Sequence, residues 1–278
     1  RCVEERDALV AAVEASGWDG AWYRRGYFDD GTPLGSASRS EARIDGIAQS
    51  WAVLSGAADP ERAAAAMAQT DEQLLMAPEG LVRLFTPPFD ASQPDPGYIR
   101  AYPPGVRENG GQYTHGALWS VFAWARLGRE DRAGEVFQDL NPVNHALTPA
   151  AAETYRVEPY VVAADVYTVA PYVGRGGWTW YTGSAGWMYR AGLEAILGLR
   201  REGDQLRIEP CLPPEWEQVV VRYRFGEACY ELAFDAACPA PRHIARVVVD
   251  DVALPGALLP LVDDGRTHSV RVEMEPRT

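Results

Sequence analysis

The sequence contains no lysine; all 26 of its basic residues are arginines. Any anion site in this chain must therefore be built from Arg, His or backbone amides. Positive charge is also outnumbered: 39 acidic residues leave a net charge of −13. A nucleic-acid binder needs a basic face, so that class is excluded. Cysteine is scarce, with only Cys2, Cys211, Cys229 and Cys238. None forms a CxxC pair, so a zinc site is not indicated, and the four read as reduced thiols. No run of 18 apolar residues occurs, so no transmembrane helix is encoded and no direct membrane contact is expected from this chain. A signal-peptide pattern is missing too, and the expected setting is cytoplasmic. There is no GxxxxGK[ST] loop to cradle a nucleotide. There is no initiator Met: the chain opens on Arg1-Cys2-Val3-Glu4-Glu5-Arg6 in a helix-like pattern, as a piece of a longer polypeptide would.

What is present is ordinary for a folded protein. Of 278 residues, 47% are hydrophobic and 23% charged, which excludes disorder and fibrous classes. A chain of this length buries a large core. The nine tryptophans stand out. Most are expected to fill the core, and exposed ones suit stacking on sugar rings.

Two textures divide the chain. Residues 1–200 read as about seven helices joined by aromatic, Gly- and Pro-rich loops. Helices are expected over 3–13, 40–54, 60–76, 113–127, 130–140, 150–169 (interrupted near Pro159) and 182–197. Gly17, Gly56, Gly128 and Gly198 stand at the stops, and Asp59-Pro60 forms a cap followed by proline at the first helical position. Residues 201–278 alternate or carry β-branched runs, with turn signals at Gly226-Glu227 and Asp264-Gly265, and read as a small all-β sandwich. The fold class is thus α+β with two domains.

Three loops concentrate polar and aromatic residues. In Gly174–Gly186, glycines leave backbone amides accessible and Thr182 can cap a helix, which makes an anion site at a helix start or an ordinary Gly-rich cap. In Gly105–His115, Gly110-Gly111 precede a helix whose first turn holds His115, a phosphate ligand, an acid or base, or a structural histidine. Glu108 lies between Arg107 and Asn109; it can bind sugar hydroxyls, act as general acid, or pair with Arg107. The third loop, Trp22–Gly31, contains Asp29-Asp30-Gly31, a turn without the ligand spacing of a calcium loop.

These loops carry a family likeness. YFDDGTPLGS (27–36), RIDGIAQSWAVLSGA (43–57), PPFDASQPDPGYI (87–99), GVRENGGQYTHGALW (105–119), VEPYVVAADVY (157–167) and GRGGWTWYTGSAGWMYR (174–190) together make nearly the whole chain resemble the C-terminal portion of the family 94 glycoside phosphorylases. The likeness leans to the β-1,2-glucan branch, which includes the matching domain of cyclic β-1,2-glucan synthases.

The resemblance implies the C-terminal half of an (α/α)6 toroid followed by the β-sandwich. It implies inverting phosphorolysis of a β-glucan or oligosaccharide to α-glucose 1-phosphate, with inorganic phosphate as co-substrate and no metal or organic cofactor. By resemblance, His115, Thr182 and Gly183 bind phosphate and Glu108 holds the sugar at the cleavage site. Gln112, Arg175 and Trp178 are weaker pocket candidates. The family's general acid is an Asp in a DWND-type stretch, which this sequence lacks. The acid and a further phosphate-binding Arg are expected in the upstream half of the same polypeptide, so the isolated chain holds half a site and is not expected to turn over glucan. The rival readings are a non-catalytic carbohydrate-binding domain and a hydrolase using Glu108 as acid.

Overall fold

A computed structural model describes residues 1–180 and 182–277, and Thr182 by its backbone alone. The architecture is α+β and divides into two compact units. The first comprises Arg1–Leu127 and Val136–Tyr189, the second Gly128–Glu135 and Arg190–Thr278.

Seven α-helices are formed among the described residues: α1 (Cys2–Ala12), α2 (Gly46–Ser55), α3 (Pro60–Leu74), α4 (Thr114–Arg126), α5 (Glu130–Asp139), α6 (Pro149–Tyr155) and α7 (Thr182–Arg190). Their ends follow local chemistry. Asp59 accepts hydrogen bonds from the Glu61 and Arg62 N–H groups, and Pro60 occupies the first helical position, where no N–H is needed. Such a cap contributes about 1 kcal/mol. α2 starts at Gly46, six residues later than the sequence pattern suggests. Asp45 caps it through the Ile47 N–H, and Ile44-Asp45 is engaged in a strand pair with Phe85-Thr86.

The segment 150–169 departs most from expectation. Its helix, α6, ends at Tyr155, where Arg156 turns left-handed at φ +60°. Loop follows, then Asp165-Val166 pairs antiparallel with Gln112-Tyr113. In the first unit, small cores form around such short pairs. One gathers Trp22, Tyr23, Ile44, Ala52, Ala66 and Leu74; another Leu81, Tyr155, Ala163 and Val166. α2 lies against α4, with the Trp51 and Trp119 rings edge to face at 5.3 Å. α1 buries none of its residues: Val3 is 60% exposed and Leu9 66%.

The second unit is built on two sheets. A three-stranded sheet runs in the order Leu258–Pro260, Gln205–Ile208, Leu199–Glu202. In a five-stranded sheet, Thr267–Pro276 pairs parallel with Ala228–Asp235 and antiparallel with Arg242–Val249; Gln218–Phe225 and Val252-Ala253 are the edges. Side chains alternate in and out with the strand period of two. Ala228, Tyr230, Leu232 and Phe234 share one core with Val270 and Val272, and with Leu199, Leu206, Ile208 and Leu259 of the smaller sheet. Arg242 is fully buried, paired with Glu130 at 2.9 Å and donating to the carbonyls of Leu212, Pro213, Ala236 and Trp216. No helix among the described residues is long and apolar enough to cross a membrane.

Candidate active site

Glu108 sits on a loop that the backbone draws tight. Gly105 and Gly110 have φ of +77° and +79°, and Val106 bridges to Asn109. A Cβ on Gly105 would stand 2.4 Å from the Val169 side chain, so only glycine allows this approach. Asn109, fully buried, fixes the loop from below: its Oδ1 accepts from the Phe89 N–H, and its Nδ2 donates to the Phe89 and Tyr102 carbonyls. Glu108 Oε2 is buried without a hydrogen-bond partner among the described residues and stands 3.6 Å from Arg107 Nε. The ion pair with Arg107 is therefore present but loose. The Arg107 guanidinium lies 5.5 Å from both the Tyr102 and Trp178 ring centroids, a cation–π arrangement on two sides.

His115 enters through the strand pair. Gln112-Tyr113 lead straight into α4, whose first residue, Thr114, donates its N–H to the Ala164 carbonyl. This sets His115 in the first turn among three aromatic rings. Tyr113 is stacked at 6.3 Å, Trp119 is edge-on at 4.8 Å, and Trp187 of α7 is tilted at 5.5 Å. Among the described residues the buried His115 Nε2 has no hydrogen-bond partner; the same holds for Trp119 Nε1. Burial pushes the His115 pKa below the usual imidazole value. A neutral imidazole offers one N–H, and a dianion beside it would favour the second proton.

The Gly-rich loop completes the arrangement. Gly176 bridges to Val166, the Gly177 N–H donates to the Asp165 carbonyl, and the Ala164 N–H donates to the Trp178 carbonyl. Trp178 and Trp180 project outward, 60% and 69% exposed. Gly183 is exposed in the first turn of α7, where a backbone N–H has no intrahelical acceptor. The Thr182 side chain lies outside the described residues. Trp187, which touches His115, follows Gly183 by four residues, about one turn or 5.4 Å of helix. His115 is thus in contact with α7 through Trp187.

The remaining candidates take other places. Gln112 is buried, with its Oε1 accepting from the Val82 N–H. Arg175 lies over the Tyr172 ring at 5.6 Å. Sequence reasoning passed over Asp165, Asn109, Trp119 and Trp187. The only signal for Asp165 was a carboxylate inside the apolar run 161–166, which the expected helix masked.

With this geometry in place, the comparisons with known proteins are direct. The profile of the Glycosyl hydrolase 94 superfamily catalytic domain matches residues 1–198, and the chain belongs to that family. A cyclic β-(1,2)-glucan synthase, NdvB, from Rhizobium meliloti (strain 1021) is 60% identical over 210 residues, which are 76% of this chain and 7% of the synthase. Solabiose phosphorylase from Paenibacillus borealis is 33% identical over 267 residues, 96% of this chain and 34% of the relative. N,N'-diacetylchitobiose phosphorylase from Vibrio furnissii is 32% identical over 247 residues, 87% of this chain and 30% of the relative. The chain thus spans about a third or less of the length of each of these relatives.

Proposed function

We propose that this chain is the C-terminal part of a catalytic region acting on β-1,2-glucan, either an inverting phosphorylase or the equivalent domain of a cyclic glucan synthase. The helical part is half of an (α/α)6 toroid and the β part a sandwich. His115, Thr182 and Gly183 bind inorganic phosphate. Glu108 holds the glucosyl unit at the cleavage point, with Trp178, whose ring contacts the Arg107 guanidinium, as a pocket residue. The general acid comes from the upstream half. It protonates the glycosidic oxygen while a phosphate oxygen attacks the anomeric carbon from the opposite face. The C–O bond to the leaving sugar breaks, and α-glucose 1-phosphate and a shortened glucan result. This geometry is that of an inverting glycosidase with phosphate in place of water.

The supporting observation is the buried His115 Nε2, which lacks a hydrogen-bond partner among the described residues and whose ring touches Trp187, four residues along α7 from Gly183. The 60% identity to NdvB supports the β-1,2 linkage. The exposed Trp178 and Trp180 also suit the second reading, a sugar-binding module without catalysis. A longer polypeptide carrying the preceding segment decides between them. It should release glucose 1-phosphate from β-1,2-glucan in the presence of phosphate, and His115→Ala in it should cost about 100-fold or more, as loss of an anion-stabilising donor does. The isolated chain should not turn over. Phosphate-independent release of free glucose, or binding without turnover in the longer polypeptide, would overturn the phosphorylase reading.

A further inference from the structure

Asp165 touches the strand before His115, the Glu108 loop and the Gly-rich loop. Its backbone pairs with Tyr113, in the strand that delivers His115. Its Oδ2 accepts the Arg107 N–H at 3.0 Å, next to Glu108. Its Oδ1 accepts the Trp178 N–H at 3.3 Å, and its carbonyl accepts the Gly177 N–H at 2.8 Å. The side chain is fully buried. Burial raises its pKa, and so does the Glu108 charge, while the two backbone N–H groups and Arg107 oppose that shift.

Burying a carboxylate is costly unless donors compensate it, and here the donors, the Arg107 and Trp178 N–H groups, belong to two loops far apart in sequence. Arg107 holds a left-handed φ of +51°, which aims its N–H at the carboxylate at a cost in backbone strain. Gly177 is required for the same reason: a Cβ there would lie 2.3 Å from Asp165 Oδ1. Glycine at 177, the turned backbone at 107 and the carboxylate at 165 form one device.

We infer that Asp165 is the positioning residue of the site, holding the Glu108 loop and the Trp178 loop in register with the start of α4. It acts through Glu108 and Trp178 and touches no substrate itself. The inference rests on the proposed sugar site at Glu108.

Three variants of the 278-residue chain test it: Asp165→Asn, which keeps shape but offers an N–H to one of the two donors; Gly177→Ala, which retains the aspartate but pushes its carboxylate aside; and Glu108→Gln. The probe is a β-1,2-linked glucose disaccharide, titrated by calorimetry, with amide exchange read at Arg107 and Trp178. Asp165→Asn and Gly177→Ala should each speed exchange at both amides and weaken the disaccharide about tenfold, with exchange in the second unit unchanged. Combined with Glu108→Gln, Asp165→Asn should add little further loss. Unchanged exchange at Arg107 and Trp178, or full additivity with Glu108→Gln, would overturn the inference. If the wild-type chain does not bind the disaccharide, the sugar-site reading fails. The exchange rates then decide Asp165 alone: faster exchange supports it, and wild-type rates refute it.

Discussion

The His115 and Trp187 rings lie 5.5 Å apart at 31°, which ties the first turn of α4 to α7 one turn beyond Gly183. The contact covers the imidazole, whose buried Nε2 has no hydrogen-bond partner among the described residues. It joins the imidazole to the helix whose first turn is the proposed phosphate site.

The same enclosure has a pH signature. Burial lowers the His115 pKa, so between its folded value and the ordinary one near 6.5 the unfolded chain binds more protons. The contribution of His115 to stability is therefore present above the ordinary value and lost as pH falls through the folded one. The thermal midpoint of the wild-type chain, relative to His115→Gln, should fall between pH 8 and pH 5.5. A difference independent of pH would contradict this.

His268 should behave in the opposite sense. Its Nδ1 lies 2.7 Å from Asp250 Oδ2 and its Nε2 3.2 Å from Asp264 Oδ1, with Tyr230 stacked at 4.7 Å and Arg266 paired to Asp264. The hydrogen bond to Asp250 and the second carboxylate raise the His268 pKa against desolvation. Its contribution is complete below the ordinary imidazole value and disappears as pH rises through the raised one. The advantage of wild type over His268→Gln should thus be larger at pH 5.5 than at pH 8.5, read as amide exchange in the strand Thr267–Pro276. An equal advantage at both would refute the assignment.

Arg242 and Glu130 form a buried pair, 0% and 4% exposed at the side chain. Arg242→Met removes the cation and strands a buried carboxylate, together with four carbonyls that lose their donor. The cost should be about 3–5 kcal/mol, measured as the change in exchange free energy of the strand Ala228–Asp235. Adding Glu130→Leu should recover part of it. A loss under about 1 kcal/mol from Arg242→Met would show that water replaces the guanidinium.

Much of this was legible before any coordinates, and the reasons are local. Asp59-Pro60 and the left-handed Gly56 and Gly198 mark helix ends by chemistry that neighbours cannot change. The alternation in Ala228–Asp235 and Thr267–Pro276 fixes which residues face the core. Around the site, the glycines of 105–111 and 174–177 identified the loops. The segment 157–166 was misread because its pattern admits a helix, while its actual conformation is set by distant partners: Gln112-Tyr113, the Arg107 N–H and the Gly-rich loop. A two-residue strand pair leaves no periodicity to read. That misreading hid Asp165. Trp119 and Trp187 were hidden differently, since a helical aromatic reads as core until its ring is seen against His115.

The most direct test is a titration of the chain with inorganic phosphate, followed by NMR on the His115 imidazole nitrogens and the Gly183 amide. Both signals should move together and saturate with one dissociation constant, and His115→Ala should abolish the Gly183 response. Shifts confined to other residues, or a Gly183 response unaffected by loss of the imidazole, would contradict a shared phosphate site.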